Sequence, residues 1–228
     1  MKLTKLSLAV ITALGIGLSG CGSSSSSDGD QATTTGTVSG SYYENAIVCF
    51  DTDGDGSCTG EASRTTSDSK GDFSLVGDAT YPIIAEIPAG AKKHEVIGDA
   101  GVEITPDTQT VFAIPADAIT KAKEDGGKVV LSAISTKLYT YVKEHKDDDI
   151  DTAMVAVSDI LGISKDDMFK DFNSKDVDEH TRLILKSKSD VLLEKIKGKA
   201  DIKEVSKAVD NFVAAMSMPE PIDVIKAK

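Results

Sequence analysis

The sequence predicts an α+β protein in which a small antiparallel β-sandwich is followed by a helical bundle. Between residues 36 and 115, short apolar runs recur about every ten residues and are separated by clusters of Gly, Pro, Asp and Ser, which is typical of a sandwich. From residue 116 to 228, apolar residues recur at helical spacing instead. Of the 228 residues, 40% are hydrophobic, which is enough for a packed core and excludes wholesale disorder.

Six segments of the first half are candidate strands. In the run Ala46–Phe50, apolar residues occupy both faces, which suits a strand inside a sandwich. The candidates are Thr37–Val38, Ala46–Phe50, Asp72–Val76, Tyr81–Ile87, Val102–Ile104 and Val111–Ile114.

Five segments of the second half are candidate helices, and several have recognisable ends. Ser132 and Ser135 provide cap-like chemistry, and Gly162 suits a helix C-terminus. The acidic run Asp147–Asp149, with Asp151, indicates a helix N-terminus rather than a second ion site. The candidates are Ala116–Asp125, Leu131–His145, Ile150–Leu161, Val177–Lys197 and Ile202–Met216, and Pro219 and Pro221 end the last one.

Residues 1–20 have the layout of a secretory signal peptide. Lys2 and Lys5 form a positive region in front of the apolar run Leu6–Leu18. That run has about 13 residues, which is too short to span a bilayer core of about 30 Å. Small residues precede Cys21, as they do at a cleavage site.

The sequence Leu18-Ser19-Gly20-Cys21 resembles the lipobox of bacterial lipoproteins. The resemblance implies that the Cys21 thiol carries a lipid, that the chain is cut before Cys21 and that the new amine is acylated, which anchors the protein in a membrane. Gly22 stands where an aspartate would usually retain a Gram-negative lipoprotein in the inner membrane, so the resemblance implies the outer membrane. Which side of the outer membrane the protein faces stays open. The alternative is an ordinary secreted protein.

Residues 21–35 are predicted to be a flexible tether, because the serine run Ser23–Ser27 and its neighbours have almost no apolar content.

The folded part that follows is acidic. The whole chain has 25 Lys+Arg against 37 Asp+Glu, and residues 1–20 carry two lysines and no acid, so the chain from Cys21 has a net charge of −14. This balance argues against nucleic acid as a partner and against charge-driven binding to an anionic membrane.

An acidic loop between residues 51 and 61 carries the most specific chemistry. Asp51, Asp53 and Asp55 alternate along the chain, and Gly56 permits a sharp turn. Such hard oxygen ligands favour Ca²⁺ at 2.3–2.6 Å. Position 12 of the loop is alanine, and Glu61 lies one position earlier. The predicted ligands are Asp51, Asp53, Asp55, Ser57 and Glu61; the alternative is an acidic turn that binds nothing tightly.

Cys49 and Cys58 flank this loop. Exported proteins meet an oxidising compartment, so the pair is expected to form a disulfide that joins the ends of the loop. A pair of buried free thiols is the alternative. A cysteine-based metal site is disfavoured, because no histidine lies at the usual spacing.

Residues 36–90 resemble a module of bacterial surface proteins. The similarity rests on Gly36-Thr37-Val38, on Ala46 to Asp51, on Asp53 to Cys58, on Thr65-Thr66 and on Gly71 to Leu75, with Gly60-Glu61 matching the end of the module's loop. The segment is similar to carboxypeptidase-regulatory-like and SdrD B-type sandwiches. The resemblance implies a transthyretin-like or immunoglobulin-like fold in a non-catalytic module.

The sequence favours a non-enzymatic role. His94, His145 and His180 are dispersed, and there is no Gly-x-Ser-x-Gly elbow, phosphate loop or dinucleotide fingerprint. We therefore expect a lipid-anchored outer-membrane or cell-surface protein, stabilised by calcium, that interacts with or adheres to an unidentified protein or surface ligand. The alternative is a periplasm-facing ligand-binding or enzyme-accessory lipoprotein with a cleft between its halves.

Overall fold

Ten strands and five helices are present in residues 32–97, 100–104, 106, 108–124 and 127–217, which are the residues that this computed structural model describes. In chain order they are β1 (Thr33–Val38), β2 (Tyr42–Glu44), β3 (Ile47–Phe50), β4 (Arg64–Thr66), β5 (Asp72–Val76), β6 (Ile83–Ile87), β7 (Lys92–Ile97), β8 (Ala100–Ile104), β9 (Thr110–Ile114), α1 (Ala116–Glu124), β10 (Val129–Leu131), α2 (Ala133–Glu144), α3 (Ile150–Leu161), α4 (Glu179–Ile196) and α5 (Ile202–Ser217), with a 3₁₀ turn at Lys165–Asp167. The predicted α+β class is confirmed. The predicted signal peptide, Cys21, most of the tether, Pro219 and Pro221 lie outside the described residues.

The described strands form three sheets. One sheet has the antiparallel order β4-β3-β6-β9, a second has the order β10-β1-β5, and a third has the order β2-β7-β8. In the second sheet β1 pairs antiparallel with β5 and parallel with β10, with Gly36 opposite Val129. β10 therefore joins a strand from the start of the described chain to a segment between two helices.

β1 begins inside the stretch that was predicted to be tether. Thr33, Thr34 and Thr35 pair with Val76, Leu75 and Ser74 of β5. Threonine is β-branched and suits a pleated strand, so the polar character of these residues concealed a strand. The tether prediction is therefore wrong for its last three residues.

Local capping residues mark the start of α2 and both ends of α3. Ser132 and Ser135 form a capping box at the start of α2: the Ser132 N–H donates to Ser135 Oγ at 2.9 Å, and the Ser135 N–H donates to Ser132 Oγ at 3.3 Å. Asp149 accepts a hydrogen bond from the Thr152 N–H at 2.7 Å at the start of α3. Gly162 ends α3 with a φ of 63°, a left-handed conformation that favours glycine.

Helix α2 lies at the centre of the helical packing. It contacts the helices α3, α4 and α5 and also the strands β9 and β10. Its first turns are tied to β9 by side chains, because Thr136 Oγ1 accepts from the Ala113 N–H and Ser135 Oγ donates to the Ala113 carbonyl, both at 3.0 Å. Strands and helices thus share a core, in which Phe112 and Leu138 are fully buried.

The described residues belong to one compact unit. None of their helices has the combined length and hydropathy of a membrane span.

Candidate metal centre

The acidic loop connects β3 to β4 and starts at a buried residue. Asp51 directly follows the buried strand β3, and its N–H donates to the Pro82 carbonyl at 2.9 Å, so its backbone is held beside the start of β6. The Asp51 side chain is only 1% exposed, whereas Asp53 and Asp55 are exposed. The loop therefore presents one buried carboxylate behind two exposed ones.

The three aspartates converge on one point. One carboxylate oxygen from each of Asp51, Asp53 and Asp55 lies within 4.8 Å of the other two. Among the described residues this is the group of acidic, histidine or cysteine side chains that could hold a metal ion. Three carboxylates at such distances repel one another unless a cation lies between them.

One oxygen of each aspartate is used to build the turn. Asp51 Oδ1 accepts from the Gly56 N–H at 3.2 Å, Asp53 Oδ1 accepts from the Asp55 N–H at 3.0 Å, and Asp55 Oδ1 accepts from the Ser57 N–H at 2.7 Å. These side chain to backbone bonds are typical of tight Asp-rich turns. They orient the carboxylates and leave the second oxygen of each outside these backbone bonds.

Asp51 Oδ2 has no hydrogen-bond partner although it is buried. Buried polar atoms without a partner are rare in folded proteins, and each one needs a physical explanation. Burial raises the pKa of Asp51, against the hydrogen bond from Gly56 and the charge of Lys143, which lower it. A cation bound at the three aspartates would give this oxygen the partner that it lacks.

Helix α2 packs close to the buried carboxylate. The pKa of Tyr139 is raised by burial and by the charge of Asp51, so its hydroxyl group stays protonated. Tyr139 is buried, and the Lys143 ammonium lies 5.3 Å from the centre of its ring. The acidic loop is therefore adjacent to the central helix as well as to the sheets.

Glu61, a further predicted ligand, makes protein contacts and is not in the group that the three aspartates form. Ser57 remains a predicted ligand. The Glu61 carboxylate accepts from the Thr52 N–H at 2.8 Å and from Thr52 Oγ1 at 2.5 Å. The Ser57 carbonyl oxygen lies 3.9 Å from Cys49 Sγ, beside the flanking cysteines. Glu61 thus closes the loop across its own ends.

Cys49 and Cys58 lie at disulfide distance, with their Sγ atoms 2.06 Å and their Cα atoms 5.5 Å apart. Both residues are fully buried. A second fastening comes from Glu86 of β6, whose Oε1 accepts from Ser57 Oγ at 2.9 Å and from the Cys58 N–H at 2.8 Å. The loop is therefore attached to the four-stranded sheet on both sides.

Gly56 fits the loop against helix α5. Its φ is 81°, and a Cβ built there would lie 2.0 Å from Cγ2 of Ile202, the first residue of α5. Ile202 is itself buried. Glycine at this position is thus required by both the turn and the close approach of the helix.

The three histidines lie in separate local environments. His94 Nε2 lies 2.7 Å from Glu44 Oε2 on the neighbouring strand. The His145 ring stacks on the Tyr141 ring with centroids 4.0 Å apart, and His180 is exposed in the first turn of α4.

Two contributors to the site were missed by sequence reasoning. Glu86 is about 30 residues from the loop and Ile202 about 145 residues from it, so no local pattern connects them. Glu86 lies within a predicted strand, where an acidic residue among apolar neighbours was the one available signal.

Known proteins do not identify the ligand of this loop. The chain matches no family model, and no curated protein and no solved structure is significantly similar to it. The interpretation of the site therefore depends on the chemistry of its own residues.

Proposed function

We propose that this protein is a lipid-anchored lipoprotein of the bacterial outer membrane, stabilised by calcium, with a non-catalytic role in interaction or adhesion. The observation that carries the calcium part is the buried, unpartnered Oδ2 of Asp51 behind the carboxylates of Asp53 and Asp55. The membrane part is carried by the lipobox-like sequence that ends at Cys21.

Calcium fits this donor set better than a softer metal. All three side chains offer charged oxygens, and neither histidine nor a free thiol joins them in the described part of the chain. Hard oxygen donors suit Ca²⁺, and extracellular calcium modules commonly bind it with a Kd of about 10⁻⁴–10⁻³ M. The cysteine pair at disulfide distance agrees with export to an oxidising compartment, where calcium sites of this affinity are found.

The proposed role of calcium is structural. The loop contacts the four-stranded sheet through Glu86 and helix α5 through Gly56, so a bound ion would stabilise the place where strands and helix meet. We further propose that the strands form a non-catalytic sandwich of the surface-protein type, with the C-terminal helices packed as a bundle beside it. The exposed loops of such a module would face the partner.

Membrane attachment is tested with cells producing either the wild-type chain or a Cys21→Ala variant. We expect the wild type to incorporate a palmitate analogue and to sediment with outer membranes, and the variant to do neither. Protease added to intact cells then separates the two orientations, since a surface protein is digested and a periplasm-facing one is protected. Equal membrane recovery of wild type and variant, without label, would refute the lipid anchor.

The interaction role is tested on the same cells. If the protein is surface-exposed, cells that produce it should adhere to a host-matrix or cell-surface preparation more strongly than cells that lack it. Addition of a calcium chelator should reduce the difference. Protection from protease together with unchanged adhesion would contradict the surface role.

A further inference from the structure

The backbone at Gly56 is bonded to two of the proposed calcium ligands. The Gly56 N–H donates to Asp51 Oδ1 at 3.2 Å. The next N–H in the chain, that of Ser57, donates to Asp55 Oδ1 at 2.7 Å. The peptide groups on both sides of the Gly56 Cα atom are therefore attached to carboxylates of the acidic loop. A movement of these carboxylates toward an ion acts directly on the position of Gly56.

The first residue of α5, Ile202, fills the space beside Gly56. A Cβ atom at Gly56 would meet Cγ2, Cβ and Cγ1 of Ile202 within 4.0 Å, and these are the nearest atoms to it. Ile202 is only 5% exposed. Because protein interiors are close-packed, the backbone of Gly56 and the side chain of Ile202 cannot shift independently.

The first turn of α5 has its own hydrogen bonds and a separate attachment to the sheet. Asp201 Oδ1 accepts from the Lys203 N–H at 2.7 Å, and the Asp201 carbonyl accepts from the Val205 N–H at 3.0 Å. Just before this turn, the Gly198 N–H donates to the carbonyl of Gln109, next to β9, at 3.0 Å. The start of α5 is thus held by the sheet at Gly198 and by the acidic loop at Ile202.

The middle of α5 is attached to other helices. Asp210 lies 3.4 Å from the ammonium group of Lys137 on α2, and α5 also packs along α4. Val209 is fully buried, but it does not supply any of the atoms nearest to Gly56. A change at the acidic loop therefore reaches α5 at its first turn, through Ile202.

We propose that Ile202 is a positioning residue for the calcium site, and that calcium binding is coupled to the packing of the first turn of α5. Ile202 supports the backbone at Gly56, and this backbone holds Asp51 and Asp55 in the converged arrangement that an ion needs. This role rests on the calcium function proposed above and adds its regulation. Coupling between two sites is reciprocal, so calcium holds the start of α5 in place, and a partner that displaces the start of α5 releases calcium.

The coupling is tested by NMR during a calcium titration of the full chain carrying Cys21→Ala, so that no lipid is attached. The amide of Gly56 reports on the acidic loop, and the amide of Val205 reports on the first turn of α5. We expect both signals to shift with the same Kd. Val157, which is buried in α3, is the control position, and its amide should not shift.

The positioning role is tested by the calcium Kd of three variants. Ile202→Ala removes the Cγ2 atom that packs against Gly56, and it should raise the Kd by at least about threefold, because one contact carries part of a coupling that is commonly fivefold or more. Ile202→Val keeps Cγ2, so its Kd should stay within about threefold of the wild type. Val209→Ala truncates another buried side chain of α5 and is the matched control, with the same expectation as Ile202→Val.

The possible outcomes separate this inference from the calcium function itself. A wild-type titration that shifts Gly56 and leaves Val205 unchanged would overturn the coupling and leave the calcium site standing, whether or not the variants fold. The positioning role would be overturned by a rise in Kd below about threefold in Ile202→Ala, or by an equal rise in Ile202→Val or Val209→Ala. If neither amide responds to calcium, the calcium function fails, and this inference fails with it.

Discussion

Replacing Asp51 by asparagine should have opposite consequences with and without calcium. Asparagine keeps an oxygen that can accept from the Gly56 N–H, and it removes the negative charge from a side chain that is 1% exposed. In chelator the wild-type protein holds a buried carboxylate oxygen without a partner. The asparagine amide that replaces this oxygen would also lack a partner, at about 1–3 kcal/mol, but an unsatisfied charged group costs more than a neutral one, so we expect Asp51→Asn to be at least as stable as the wild type under that condition.

With calcium the order should reverse. A site with a Kd of about 10⁻⁴–10⁻³ M stabilises the folded state by about 1.4–2.7 kcal/mol at about 10 mM Ca²⁺, because the ion binds the folded state alone. For a chain of this size, that corresponds to a rise of about 3–11 °C in the melting temperature. Asp51→Asn loses the charge of the buried carboxylate in the group and should show little of this rise.

The assay is a pair of thermal and urea unfolding curves for each protein, in chelator and in calcium. Asp147→Asn is the matched control, since Asp147 is exposed and lies outside the loop. It should respond to calcium as the wild type does. Overlapping wild-type curves in chelator and calcium would refute the reasoning, and so would a calcium response that Asp51→Asn retains in full.

Three further changes test other parts of the account. Gly56→Ala should destabilise the protein more than Gly54→Ala in urea unfolding. Both glycines have positive φ, which costs an alanine about 1–2 kcal/mol. A Cβ at Gly56 would in addition lie 2.0 Å from the first residue of α5, whereas the space around Gly54 is open. Equal losses would contradict the close contact. Peptide mapping without reduction should show Cys49 linked to Cys58, and two free thiols in the isolated protein would disprove the bridge. Replacing both cysteines by alanine should lower the free energy of unfolding by about 2.7 kcal/mol for a loop with sequence separation 9. Asp178 caps α4, and the hydrogen bond from the Thr181 N–H lowers its pKa. The stabilisation that Asp178→Ala removes should therefore be present at neutral pH and disappear as the pH falls through that lowered pKa. A difference in stability that does not change with pH would argue against the charged cap.

Helices were predictable in this chain because their ends carry local chemistry. Ser132 begins α2 and Asp149 begins α3 through hydrogen bonds to backbone groups three residues away, and Gly162 ends α3 in a left-handed conformation. Such bonds involve neighbours in sequence, so the residues that form them are visible in the sequence. The predicted helix Ile150–Leu161 coincides with α3.

The missed strands depend on partners that are distant in sequence. β10 has three residues and pairs with β1, which lies about 90 residues earlier, and Arg64–Thr66 is a short, largely exposed edge strand. β2 and β7 are rich in polar residues and pair with each other across about 50 residues. Their hydrophobic patterns are too short to predict a strand by themselves.

The candidate site likewise combines residues that the sequence predicts with residues that it does not. The three aspartates and the turn glycine are close in sequence, so the convergence of their carboxylates was predictable. Glu61 was expected to face the ion but bonds to Thr52, because a loop with its last carboxylate one position early can close on its own backbone. The attachment by Glu86 and the contact with Ile202 depend on tertiary packing alone.

Calorimetric titration of the protein with Ca²⁺ tests the central claim most directly. We expect one saturable site per chain with a Kd of about 10⁻⁴–10⁻³ M, and its loss in Asp51→Asn. If the folded protein shows no saturable binding up to about 10 mM Ca²⁺, or if Asp51→Asn binds with the wild-type affinity, the acidic loop is not a calcium site.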